Sequence, residues 1–190
     1  INLRLSTIEE EMRRYRQTQE NKESLAPRFV ESSPNIRTYG GMIEDLISPR
    51  HGMMMMPHMG GNHELFYIMG YFDHVLLDKL SGIAKQTKII SPRQEMPNHK
   101  TTKKMVKNED ALERIAKMGA EVRLNPMLHA RLFCVPQRRF LIVGSGDIQT
   151  HCFGGTRFDA GIYSNNPDLI KQAMDFYNRV WLESDPLTIS

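Results

Sequence analysis

The residues best equipped for chemistry lie between His129 and Asp147. His129 brings an imidazole that can act as a nucleophile or carry a proton. Arg131 brings a permanently charged fork that suits an oxyanion, and Ser145 a hydroxyl donor. Gly144 and Gly146 flank that serine and let the backbone turn sharply and come close to a ligand. An imidazole of nucleophile grade, a guanidinium and a hydroxyl could thus converge on one anion. The spacing His129-x-Arg131 sends both side chains to one face of a strand, with Leu132 and Cys134 on the other. Phe140-Leu-Ile-Val143 is short, apolar and β-rich, and it reads as a buried strand.

The elements around this stretch alternate. Leu65–Met69 is a strand. Asp73 caps a helix whose apolar face carries Val75, Leu76, Leu80, Ile83 and Ala84. Lys88–Ile90 is the next strand, ended by Ser91-Pro92. Strand, helix, strand is the crossover of a parallel pair. Arg93–Lys107 is basic and reads as an exposed loop, either a solvated run or an electrostatic collar beside a phosphate site. Asn108 then caps a helix carrying Leu112, Ile115 and Ala116, with Gly119 at its stop, and Ala120–Leu124 is a strand leading to His129. Phe158–Tyr163 is a further strand. Asn166-Pro-Asp168 opens a helix whose broad apolar stripe runs from Leu169 to Trp181. The expected fold is α/β: a mixed, largely parallel sheet with helices on both faces, preceded by an N-terminal helix.

The motif His-x-Arg, followed by Gly144-Ser-Gly-Asp147, resembles that of the phospholipase D superfamily. The family signature is His-x-Lys, an aspartate five residues after the lysine, then Gly-Ser-x-Asn. His129, Gly144 and Ser145 match. Arg131 stands for the lysine, Pro136 for the aspartate and Asp147 for the asparagine. The resemblance covers about residues 62–183 and implies a phospholipase D-like α/β domain. It implies that His129 is the nucleophile, that Arg131, Ser145 and Asp147 occupy the phosphate-holding positions, and that Asp159 is the acid orienting the histidine. Gly144 and Gly146 line the ligand. The resemblance implies no metal and no cofactor. One copy of the motif implies a symmetric homodimer in which two chains share one site.

The remaining sequence divides into an N-terminal helix (residues 1–26), a connecting segment (27–61) and the phospholipase D-like domain (62–190). In the first segment Leu5, Ile8, Met12 and Tyr15 form a narrow apolar seam, suited to packing on its own domain or to dimerisation. Pro27, Ser32, Ser33 and Pro34 mark a linker, Asn35–Tyr39 a short strand and Met42–Ile47 a helical turn. Residues 51–63 combine Met53–Met56 and Met59 with His51, His58 and His63, which reads as a buried strand between polar loops or as a soft-metal site. A hydrophobic content of 40% over 190 residues supports a folded core. The formal charge of +3 permits an anionic partner such as nucleic acid. Two cysteines make no disulfide framework, so a reducing cytoplasm is expected. No stretch is long enough to span a bilayer.

Two functions follow from this mixture. One is a metal-independent phosphodiesterase, a nuclease or phospholipase D-type enzyme, with His129 attacking phosphorus. The other is a degenerate, non-catalytic dimeric module for regulation or nucleic-acid association. Its layout is similar to archaeal TrmB-type regulators, which join a DNA-binding winged helix, a coiled-coil helix and a phospholipase D-like effector domain. Altered supports favour the second. Removing one preorganised donor of a transition state costs about 3–4 kcal/mol, or roughly a hundred-fold or more in rate.

Overall fold

Four consecutive apolar residues, Leu65–Ile68 (β2), are all buried, which requires cover on both faces of the strand. The rest of the fold supplies it. A computed structural model describes residues 25–32, 41–43, 64–68, 70, 74–92, 103–145 and 159–189. Within them, β1 (Arg28–Ser32) precedes β2, and α1 (His74–Leu80) and a 3-10 segment (Ser81–Gln86) lead to β3 (Thr87–Ser91). Then come α2 (Lys103–Lys117), β4 (Glu121–Leu124), β5 (Leu132–Val135), β6 (Phe140–Gly144), β7 (Asp159–Ser164), α3 (Pro167–Leu182) and the short β8 (Asp185–Pro186).

The eight strands form one sheet in the order β1-β7-β6-β5-β2-β3-β4-β8. The mixed α/β sheet expected from the sequence is present. Its parallel part is confined to β2–β3 and β3–β4, the strands joined by the helical crossovers. The other five ladders are antiparallel, so the sheet is partly rather than largely parallel. For the β5–β6 pair the reason is local. Pro136–Arg138 closes a tight 3-10 turn, Arg139 follows in the left-handed region at φ 48°, and its N–H donates to the Pro136 carbonyl at 2.9 Å. A connection that short can only return antiparallel.

Helices lie on both faces, as expected. Leu65, Tyr67, Ile89, Phe133, Val135 and Ile142 point to one side and pack with Leu77, Leu80, Ala111, Leu112 and Ile115 of α1 and α2. Phe66, Ile68, Ile90, Leu132, Cys134 and Leu141 point to the other and pack with Ile170 and Tyr177 of α3. Phe66 meets Tyr177 edge-on at 5.1 Å between ring centroids, a favoured aromatic geometry. Asn166 starts α3 as read from the sequence: its side-chain oxygen accepts the Asp168 N–H at 2.9 Å. Gly119 ends α2 at φ +108°, where a side chain would be strained.

Several boundaries differ from the sequence reading. Arg28–Ser32, taken as part of the connecting segment, is edge strand β1, paired with β7 from Arg28–Tyr163 to Ser32–Asp159. Helix α2 starts at Lys103 rather than after Asn108, so the basic stretch is partly helical. Basic side chains and a polar surface hide a helix start that tertiary packing decides. Residues 41–43 are helical and Ile43 is fully buried in the α1–α2 side of the core. The N-terminal seam, Asn35–Tyr39 and the methionine-rich stretch 51–63 lie outside the described residues.

Cys134 is fully buried on β5, and burial pushes its thiol up to about 12. At about pH 8 it stays protonated and shielded. Iodoacetamide is therefore expected to label Cys134 only as fast as the domain unfolds, and peptide mapping in native buffer against urea checks this. Rapid native labelling would mean that β5 is not a central strand.

Candidate functional site

The parallel strands β2, β3 and β4 end at one edge of the sheet, the edge where open α/β sheets accept ligands. The register brings the scattered motif residues to that same edge. Ile68 pairs with Leu132, Leu132 with Val143, and Gly144 with Gly161. His129 and Arg131 therefore arrive just before β5, Gly144 and Ser145 leave β6 beside them, and Asp159 opens β7. His129 and Arg131 precede the strand rather than lie within it, since β5 begins at Leu132. The ladder nevertheless reaches Arg131: the Gly144 N–H donates to its carbonyl at 3.3 Å.

Arg131 folds back on its own main chain. Its Nη1 donates to the carbonyl of His129 at 3.1 Å and to that of Ala130 at 3.0 Å. The guanidinium lies directly against Gly70, just past β2, where an added Cβ would overlap Nη2 and Cζ and stand 2.8 Å from Nε. His129 itself is exposed. Ser145 turns away from this pair. Its N–H donates to the Ala160 carbonyl at 2.9 Å, and its Oγ accepts the Ala160 N–H at 3.2 Å. The alternation explains why. Ser145 is in phase with Leu141 on the α3 side, whereas Arg131 is in phase with Phe133 and Val135 on the other. The edge thus gathers His129, Arg131, Gly144, Ser145 and Asp159, but Ser145 is bound to β7 rather than aimed at the guanidinium. Gly146 and Asp147 lie outside the described residues.

Two positioning features had weaker signals in the sequence. Gly70 is one. A single glycine after a strand says nothing about which side chain will need its space. Asn125 is the other, and the Asn125-Pro126 pair is a turn signal. Asn125 is buried at 8% exposure. Its Oδ1 accepts the Met127 N–H at 3.0 Å and its Nδ2 donates to Ser184 Oγ at 3.2 Å. Its own N–H donates to the Ser91 carbonyl at 2.9 Å. The Asn125 side chain thus forms the turn that delivers His129 and ties it to Ser184 just past α3, while its main chain ties the turn to the end of β3. Arg123 reinforces the same corner: Nη1 donates to the Trp181 carbonyl at 2.8 Å, and the guanidinium stacks on the Trp181 ring at 4.7 Å.

Four described groups have displaced proton affinity: Lys171 on the surface of α3, raised by its bond to Asp175, and three in the core or at the opposite edge. Cys134 is raised by burial. Tyr177 is raised by burial, with the Glu121 carboxylate adding to it. Lys88, at the start of β3, loses some affinity to burial but gains more from Glu64 at 3.1 Å and Glu121 at 3.6 Å, which leaves it raised. These groups brace the core and the opposite edge. Among the described residues, no group of three or more His, Cys, Asp or Glu side chains could hold a metal ion. No described helix is long and apolar enough to cross a membrane.

No protein-family model matches the sequence, and no curated protein matches it either. Solved structures do. Nuc from Salmonella typhimurium, a phospholipase D family member, superposes with a TM-score of 0.61 at 12% identity, over 85% of this chain and 99% of that one. TrmBL2, an archaeal chromatin protein, superposes with a TM-score of 0.54 at 10% identity, over 96% of this chain and 66% of that one. Phosphatidylserine synthase from Haemophilus influenzae superposes with a TM-score of 0.58 at 16% identity, over 85% of this chain and 39% of that one. At such identities the likeness is one of fold, and the fold is that of phospholipase D-type proteins.

Replacing Asn125 with alanine removes two side-chain bonds at a buried position. Asn125→Ala is expected to lower the unfolding free energy by about 1–3 kcal/mol. Urea denaturation measures this, and hydrogen exchange should show faster opening of the amides from Met127 to Arg131. A variant as stable as the wild type would separate the turn from the fold.

Proposed function

We propose that this chain is a degenerate phospholipase D-like domain. It binds a phosphate-containing ligand, or the backbone of a nucleic acid, as a dimeric regulatory module without efficient turnover. The observation that carries this reading is the use of Arg131. Its Nη1 is spent on the carbonyls of His129 and Ala130. A lysine is a compact point charge on a flexible stem, whereas the guanidinium is planar and larger, so the exchange alters where positive charge meets a phosphate. Asp147 adds a carboxylate where the resemblance expects a neutral amide. A negative charge there repels a phosphodiester and raises the barrier to attack. A guanidinium can still bind an anion.

A phosphate-containing ligand agrees with the mild positive charge of +3. Nucleic acid as partner is supported by the fold shared with TrmBL2, which is described as binding DNA. A dimer fits this reading because the described motif occurs once in this stretch and a shared site then needs two chains. The second reading, a metal-independent phosphodiesterase, is favoured by one feature. His129 is exposed at the sheet edge, open to a substrate, with Asp159 brought to the same edge.

Bis(p-nitrophenyl) phosphate and single-stranded DNA, assayed with a chelator present, separate the two readings. The expected result is turnover at or near background, with inorganic phosphate raising the melting temperature and light scattering reporting twice the chain mass. Robust hydrolysis abolished by His129→Ala would make the chain an enzyme. The double variant Asp147→Asn with Arg131→Lys, restoring the family pattern at two positions, is the sharper arm. Gain of hydrolysis there would locate the silence in the altered supports.

A further inference from the structure

Gly70 is buried. Its lack of a side chain is used in an unusual way. The space a Cβ would take is filled by the end of Arg131, with overlap at Nη2 and Cζ and a 2.8 Å approach at Nε. Strand pairing explains how the two meet: Ile68 pairs with Leu132, so the next residues of each strand, Gly70 and Arg131 among them, leave the ladder side by side. The guanidinium is then held from two directions. Gly70 gives it a flat seat on one side, and the carbonyls of His129 and Ala130 take its Nη1 on the other.

We infer that Gly70 is the positioning residue for Arg131: its bare Cα is the seat that lets a guanidinium work where a lysine would otherwise stand. The inference rests on the proposed anion-binding role of Arg131, and it adds the feature that makes the substitution workable. A planar fork needs more room than an ammonium and must be oriented before it can meet an oxyanion edge-on. A side chain at position 70 would push the guanidinium off the carbonyls and free it to rotate. It would also release the main chain of His129, which Arg131 holds through the carbonyl. Gly70 therefore sets both the direction of the anion-binding charge and the placement of the imidazole beside it. The recognised group is an oxyanion of the phosphate or sulfate class, met by a preoriented fork rather than by a mobile ammonium.

Four proteins test this: the wild type, Gly70→Ala, Arg131→Lys and the double variant. Inorganic phosphate is the probe, titrated calorimetrically. Gly70→Ala is expected to weaken phosphate binding about ten-fold in the wild-type background and to change nothing further in the Arg131→Lys background. Equal loss in both backgrounds, or no loss in either, overturns the inference. A second readout does not depend on phosphate. The Arg131 Nε–H signal in a 15N spectrum, identified by its absence in Arg131→Lys, should be sharp and slow to exchange in the wild type and broadened in Gly70→Ala. If the wild type binds no phosphate, the functional reading fails alone and this spectrum decides the role of Gly70, with an unchanged signal overturning it. Should Gly70→Ala fail to fold, Gly70→Ala with Arg131→Ala is expected to fold again, because the overlap is gone. Failure of that rescue would mean the glycine serves something other than the arginine.

Discussion

Everything at the candidate edge depends on β5 being paired on both sides. Its partner on one side is β2, which carries the parallel half of the sheet, and on the other β6, which carries the antiparallel half. This four-residue strand is the seam between two chain-return rules: helical crossovers on one side, a tight turn on the other. Because residues before and after a paired strand leave it in register, the seam also decides what meets at the edge. Gly70 and Arg131 meet because β2 and β5 are paired. Arg131 and Gly144 meet because β5 and β6 are paired, and their bond at 3.3 Å extends the ladder to the motif itself.

Burial makes that seam rigid. All four residues of β5 are buried, with Phe133 and Val135 facing α1 and α2, and Leu132 and Cys134 facing α3. Such a strand cannot slip by one residue without exchanging its two faces and misplacing both cores. A register held that strongly transmits to the flanking residues. The Asn125 turn and the Arg123–Trp181 corner anchor the approach to His129 from the other direction. His129 thus sits between two anchored points while itself remaining exposed.

His129, Arg131, Gly144, Ser145 and Asp159 meet at one edge of the sheet, and the fold around them is phospholipase D-type. In the function proposed above, Arg131 would hold a ligand equally in ground and transition states, and such binding does not accelerate a reaction.

The sequence by itself determined the alternation of elements, because apolar periodicity and turn residues act locally. The parallel β2–β3 unit and the α3 cap at Asn166 could both be read from neighbouring residues. His129, Arg131, Gly144, Ser145 and Gly146 could be picked out by type and spacing along the chain, whereas Asp147 and Asp159 came from the family resemblance alone. Tertiary structure alone decided what those residues touch. Edge strand β1 is short and sits among proline and serine, so only its pairing with β7 makes it a strand. The antiparallel share of the sheet depends on which strands become neighbours, which no local window contains. Ser145 turns to Ala160 because the pleat of β6 fixes its phase, and Arg131 turns to Gly70 because two strands distant in sequence end side by side. Local propensity names the groups, and strand register, a long-range property of the packed sheet, assigns their partners.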